Sequence, residues 1–330
     1  MKKQLLSLLL TVAICIAAVA QGVWQRGLHD FEFTGYEPLA HRPITVRYYI
    51  PTTGDIQSMR VLFVIAGAQR TSTTPLESWR HFAERDGFVV IAPEYTQANG
   101  WRQNEYQLGG IFTDNTFTEL NPREKWTYNT IEAIFDFFKE QTGNRSEQYE
   151  LNGHSAGGQF VHRMVLAMPE ARIRFAVAAN PSSWTYPFVD GIKDKEGNVF
   201  GWPYSVKGTP FGDRENIKRY LAMPMVIHLG NADTSTTAAD LDRAPGAMAT
   251  GINRFERGNA FFEAMSRFAK EQNIPFNWKR VEVDGIGHSG RGMIYGKSKG
   301  VNEAGDLIFC LDYITATGAY NLIFGNLQIE

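Results

Sequence analysis

Cysteine is almost absent, with two residues in 330, Cys15 and Cys310. The first lies in the uncharged run Leu5 to Ala20, which follows Lys2 and Lys3 and ends in Ala18-Val19-Ala20. A charged start, a short apolar stretch and an A-x-A site mark a secretory signal peptide. Residues 1–20 are therefore read as a signal peptide and 21–330 as the mature chain. The run is shorter than the roughly 20 residues of a spanning helix, which argues against a stable membrane span. Ile14 is not the small residue that a lipoprotein signal carries before its cysteine. Cleavage leaves Cys310 as the sole thiol and no route to an internal disulfide. A secreted chain of this kind suits a bacterial periplasm or exterior. Within Leu307-Ile308-Phe309-Cys310-Leu311, Cys310 reads as a small buried hydrophobe.

A basic excess is missing too. With 33 basic and 35 acidic side chains the formal charge is −2, which speaks against a nucleic-acid partner. No H-E-x-x-H, C-x-x-C or phosphate loop occurs, so no metal or organic cofactor is expected. Repeats and low-complexity linkers are lacking. At 43% hydrophobic and 21% charged, the chain has the composition of a folded globular protein.

What is present is an alternation of short β-branched runs with longer amphipathic stretches. Strands are expected at Ile44–Ile50, Val61–Ala66, Phe88–Ala92, Tyr149–Leu151, Phe175–Ala179, Met225–Leu229 and Trp278–Val283. Helices are expected near Pro75–Asp86, Arg123–Glu140, Phe160–Met168 and Arg254–Glu271, and in the last thirty residues. Val61–Ala66 is apolar throughout, as a central parallel strand covered on both faces should be. The pattern predicts one α/β domain with a mostly parallel sheet and helices on both faces. The stretch Ser182–Gly212, rich in Trp, Tyr, Pro and Gly, reads as an insertion over that sheet.

Gly153-His154-Ser155-Ala156-Gly157 is a G-x-S-x-G turn between an expected strand and an expected helix. Such an elbow brings neighbouring chains so close that Cβ atoms at 153 and 157 would clash, and it thrusts the Ser155 hydroxyl outward. A serine hydroxyl needs a base to attack at neutral pH. Of the seven histidines, His288 alone lies in a flexible turn beyond a strand, in Asp284-Gly285-Ile286-Gly287-His288. The carboxylate that steadies the imidazole belongs on a loop between the two, where Asp233 follows Met225–Leu229. Asp240 and Asp242 are rivals farther from the strand end. The order Ser155, Asp233, His288 is that of α/β-hydrolases. Oxyanion donors are expected in the N–H of Ala156 and of Ala68, with Gln69 the alternative to Ala68. Gln69, Trp101, Tyr106, Trp184 and Trp202, with Tyr204 beside them, are candidates for substrate binding because they fall in or near irregular segments that should roof the site.

With these residues in place, the chain resembles the secreted α/β-hydrolases of the polyhydroxybutyrate depolymerase and feruloyl or acetylxylan esterase-like group, over about Ile44 to Gly290. The oxyanion strand carries Ala66-Gly67 where that group has His-Gly. The resemblance implies hydrolysis of carboxylic esters through an acyl-enzyme without a cofactor. The expected substrate is a small-molecule or glycan ester with a short or aromatic acyl group. A peptidase of the same fold, or a binding protein that keeps the fold without catalysis, is the alternative.

Overall fold

Residues 61 to 65 alternate between two layers: Val61, Phe63 and Ile65 join the larger of two apolar clusters, and Leu62 and Val64 join the other. Both layers are filled because this strand is central. The computed structural model describes residues 22–298, 300–301, 307–308 and 314–325. The expected signal peptide, Cys310 and half of the last thirty residues lie outside them, and the helix expected in that last stretch is found at Ala319–Phe324.

Eight strands form one sheet: β1 (Gly27–Phe33), β2 (Ile44–Ile50), β3 (Val61–Ile65), β4 (Val89–Glu94), β5 (Tyr149–His154), β6 (Ile173–Ala179), β7 (Met225–Gly230) and β8 (Trp278–Val283). Their order across the sheet is β1-β2-β4-β3-β5-β6-β7-β8. The pairs β1–β2 and β2–β4 are antiparallel and the rest parallel. Strand β1 was not expected, because its sequence GLHDFEF interleaves His29, Asp30 and Glu32 with its apolar residues. It sits at the edge, where only Phe33 is buried.

One face is covered by α1 (Thr73–Asp86), α7 (Gly290–Tyr295) and α8 (Ala319–Phe324) through Trp79, Phe82, Ile294 and Leu322. The other carries α3 (Asn129–Thr142), α4 (Ala156–Ala167), α5 (Arg214–Ala222) and α6 (Arg254–Gln272). A five-residue helix, α2 (Gln103–Gln107), lies in the long connection after β4. The expected helix 123–140 is split into a 3-10 turn at Arg123–Lys125 and α3. Trp126 takes extended backbone angles between them. Its ring is buried edge-on against Phe211, and its indole N–H donates to the Asn121 carbonyl. The helix behind Ser155 starts at Ala156, earlier than the expected 160, because the two glycines after it are tolerated in a fully buried first turn.

Candidate active site

The elbow is built by contact. A Cβ at Gly157 would overlap the Ile65 carbonyl of β3, and one at Gly153 would overlap the Gly157 carbonyl. Both positions are therefore closed to any larger residue. Ser155 itself sits at φ 61°, ψ −121°, a backbone region that non-glycine residues enter only when the surroundings hold them there. Its N–H donates to the Ala179 carbonyl of β6 at 2.8 Å, which ties the strained residue to the neighbouring strand.

Two further loops meet it at the C-terminal edge of the sheet. After β7, Asn231 N–H donates to Val283 O at 3.1 Å and Ala232 N–H to Ile286 O at 3.1 Å. The Asn231 amide donates to Asp284 Oδ1 at 2.9 Å, and its Oδ1 accepts from Gly285 N–H at 2.8 Å. These bonds stitch the Asp233 loop to the His288 turn. His288 Nδ1–H donates to Asp233 Oδ2 at 2.6 Å, and Ser155 Oγ–H donates to His288 Nε2 at 3.0 Å. The structure thus brings the three sequence-selected residues into one hydrogen-bonded chain, with Asp233 buried at 2% exposure and His288 at the surface end.

His154, next to Ser155, packs its ring 4.5 Å from that of His288. Burial, aided by the neighbouring His288, pushes its pKa well below the ordinary imidazole value. It is a neutral side chain at pH 7.

Two cavities open on either side of Ser155, and Ala68, Ser155 and Asp240 line both. The first, about 530 Å³, adds His288, Gln69, Thr71, Arg291 and apolar groups such as Ile65 and Met293. The second, about 580 Å³, adds Ala156, Gln103, Gln107, Gln159, Trp202 and Tyr204. Its walls come from the connection after β4 and from the 182–212 insertion. Ala156 opens α4, where the first N–H groups have no acceptor within the helix, and it lines the second cavity together with Ala68 and Ser155.

Of the aromatic candidates, Trp202 lines the second cavity, and its buried indole N–H has no partner among the described residues. Tyr204 lines it too. Trp101, Tyr106 and Trp184 do not line either cavity, and this corrects the sequence reading. Trp101 is fully buried, donates to the Pro43 carbonyl at 3.1 Å and lies under the Arg42 guanidinium. The Tyr106 hydroxyl donates to the Ala66 carbonyl, so it props the end of β3 from below. Trp184 stacks on Phe261 with ring centroids 4.7 Å apart. Each finds more apolar surface in the core than over the site. The three glutamines of the second cavity, and Arg254 of α6, were not singled out in the sequence.

A mostly parallel sheet, a strained serine elbow and the residue order around it define an α/β-hydrolase. The chain is similar to the poly(aspartic acid) hydrolase-1 of Sphingomonas sp. KT-1, with 36% identity and a TM-score of 0.74 over 82% of this chain and 96% of that one. It is also similar to LpqC, the poly(3-hydroxybutyrate) depolymerase of Bordetella parapertussis, with 28% identity and a TM-score of 0.74 over 83% and 88% of the two chains. An S-formylglutathione hydrolase of Agrobacterium tumefaciens, at 18% identity and TM-score 0.50, shares the fold over 81% of this chain and 91% of that one. No family model and no curated protein matches the sequence. The chain belongs to the polyhydroxybutyrate depolymerase and esterase-like group of α/β-hydrolases, and it is a hydrolase.

Proposed function

We propose that the protein is a secreted serine esterase that cleaves carboxylic esters through an acyl-enzyme. The hydrogen-bonded chain Ser155–His288–Asp233 is the observation that carries this reading. His288 Nε2 takes the Ser155 proton as Oγ bonds to the ester carbonyl carbon, while Asp233 holds the Nδ1–H and balances the imidazolium. The carbonyl oxygen becomes an oxyanion facing the N–H groups of Ala68 and Ala156. As the tetrahedral species collapses, the carbon–oxygen bond to the alcohol breaks and His288 hands its proton to the departing oxygen. A water molecule then repeats the sequence on the acyl-enzyme and frees the acid.

The second cavity favours compact or aromatic acyl groups on a polar, sugar-like alcohol over long fatty chains. Gln103, Gln107, Gln159, Trp202 and Tyr204 offer hydrogen bonds and flat surfaces, and few long aliphatic side chains stand among them. Acetyl- or feruloyl-type esters of glycans or small alcohols are the substrates this lining fits. The apolar run at residues 5–20 supports export.

Labelling with a fluorophosphonate, which reacts with an activated serine, tests the reading. Wild-type protein is expected to label at Ser155 and to hydrolyse nitrophenyl acetate, and Ser155→Ala is expected to do neither. Labelling that persists elsewhere in the variant would sink the assignment. Release of amines from poly(aspartic acid) by a protein that leaves all simple esters intact would move the activity to amides.

A further inference from the structure

Asp240 was a rival for the carboxylate behind His288, and the structure puts it on the opposite side of the ring. Its Oδ2 stands 3.6 Å from His288 Nε2, the nitrogen that faces Ser155, whereas Asp233 holds Nδ1. It lines both cavities beside the nucleophile. Its side chain is 47% exposed, so a bound substrate would meet it directly.

The position of this carboxylate is enforced. Arg254, fully buried at the start of α6, reaches Asp240 Oδ1 with Nη2 at 2.8 Å and Asp233 Oδ1 with Nη1 at 3.6 Å. Burial opposes ionisation of Asp240, but the Arg254 guanidinium and the nearby His288 outweigh it and hold its carboxyl below the usual range. Asp240 is therefore charged at neutral pH. One guanidinium serves two carboxylates, which leaves one negative charge uncompensated at the mouth of the site. Asp242 adds another on the wall of the second cavity, where it accepts from the Tyr204 hydroxyl at 3.1 Å.

Of the other cations, none makes an ion pair with Asp240 among the described residues, though Arg163 and Arg257 lie near enough to Asp242 to offset part of its charge. Arg163 donates to Thr185 Oγ1, Ser183 Oγ and the Pro203 carbonyl from within the core. Arg257 donates to the Ser182 and Gly251 carbonyls. Arg70 donates to the Trp101 carbonyl. Arg291 lines the first cavity, with Nε 3.4 Å from Ser78 Oγ.

We propose that Asp240 sets the charge selectivity of the site: it rejects esters with an anionic group beside the scissile bond and favours neutral or cationic ones. This rests on the esterase reading above. It separates the chain from a hydrolase of polyanions, since each residue of a poly(aspartic acid) strand would bring a carboxylate past Asp240.

The test uses aryl acetates that carry a carboxylate, no charge or a trimethylammonium group on the leaving phenol. Their kcat/KM values are compared between wild type and Asp240→Asn, a change at an exposed carboxylate of nearly equal volume. The ratio of anionic to neutral ester is expected to rise about fivefold in the variant, the cationic-to-neutral ratio to fall by a similar factor, and both changes to shrink with added salt. Equal ratios in the two proteins, with the neutral ester turned over normally, would overturn the role of Asp240 and leave the esterase reading intact. Rapid cleavage of poly(aspartic acid) by wild type would overturn it as well. Failure of the wild type to cleave even the neutral acetate would instead remove the esterase reading, and this proposal with it.

Discussion

Arg254 Nη1 faces Asp233 Oδ1 from 3.6 Å, on the side of the carboxylate turned away from His288. Both side chains are almost wholly buried. Removing one partner of such a pair leaves an uncompensated charge in the interior, at a cost of about 3–5 kcal/mol. Arg254→Met is expected to lower the melting temperature and reduce kcat at least tenfold with little change in KM, and Arg254→Lys to recover part of both. A Met variant that is destabilised but keeps wild-type kcat would show that the arginine serves packing alone.

The two carboxylates flanking His288 approach different ring nitrogens and should be separable by kinetics. Asp233→Asn removes the acceptor of the Nδ1–H and is expected to cost on the order of 10³–10⁴ in kcat. Asp240→Asn is expected to stay within about tenfold of wild type on a neutral acetate, because its carboxylate does not touch Nδ1. Steady-state kinetics on both variants decides between them, and the opposite ranking would make Asp240 the acid.

Gly157 offers a steric test of the elbow. Its Cβ would fall on the Ile65 carbonyl, backbone that cannot rotate aside. Gly157→Ala is expected to cut soluble yield and fluorophosphonate labelling together. Ala68→Gly, in the facing loop, leaves its N–H in place and is expected to retain labelling.

His228 supplies a pH signature. Burial lowers its pKa from 6.5 to about 4, while its ring donates through Nε2 to the Thr317 carbonyl at 2.7 Å. An unfolded chain binds a proton here near pH 6.5 and the folded one does not. The neutral ring's contribution is therefore whole above pH 6.5 and is lost as the pH falls toward 4, roughly 3 kcal/mol in total. Buried His154 and His162 act in the same direction. Thermal melts from pH 7 to 4.5 are expected to show falling stability, with a shallower slope in His228→Asn. An equal slope would place the titration elsewhere.

The serine elbow was legible because it is a steric statement: glycines at 153 and 157 permit a close approach that no other residue survives. Asp233 and His288 were legible because chain order and strand ends place catalytic loops at one edge of a parallel sheet. The aromatic roof was only partly so. Trp101, Trp184 and Trp202 all stand in irregular segments, and nothing local distinguishes a ring turned into the core from one turned toward a cavity. Arg254 looked like any helical arginine, since the irregular loop before α6 gives no local sign that it folds Asp233 and Asp240 back onto the start of that helix. Strand β1 escaped notice because an edge strand needs little apolar surface.

That edge has a counterpart. Strand β1 exposes His29, Asp30 and Glu32, and β8 at the far end of the sheet exposes Arg280 and Glu282. A foreign strand adding at either end would press its backbone against charged side chains and strip them of water without offering partners in register. Both borders of the sheet are thereby closed to extension. A wide, largely parallel sheet bordered in this way would keep its strands to itself at concentrations where an uncharged edge would recruit others.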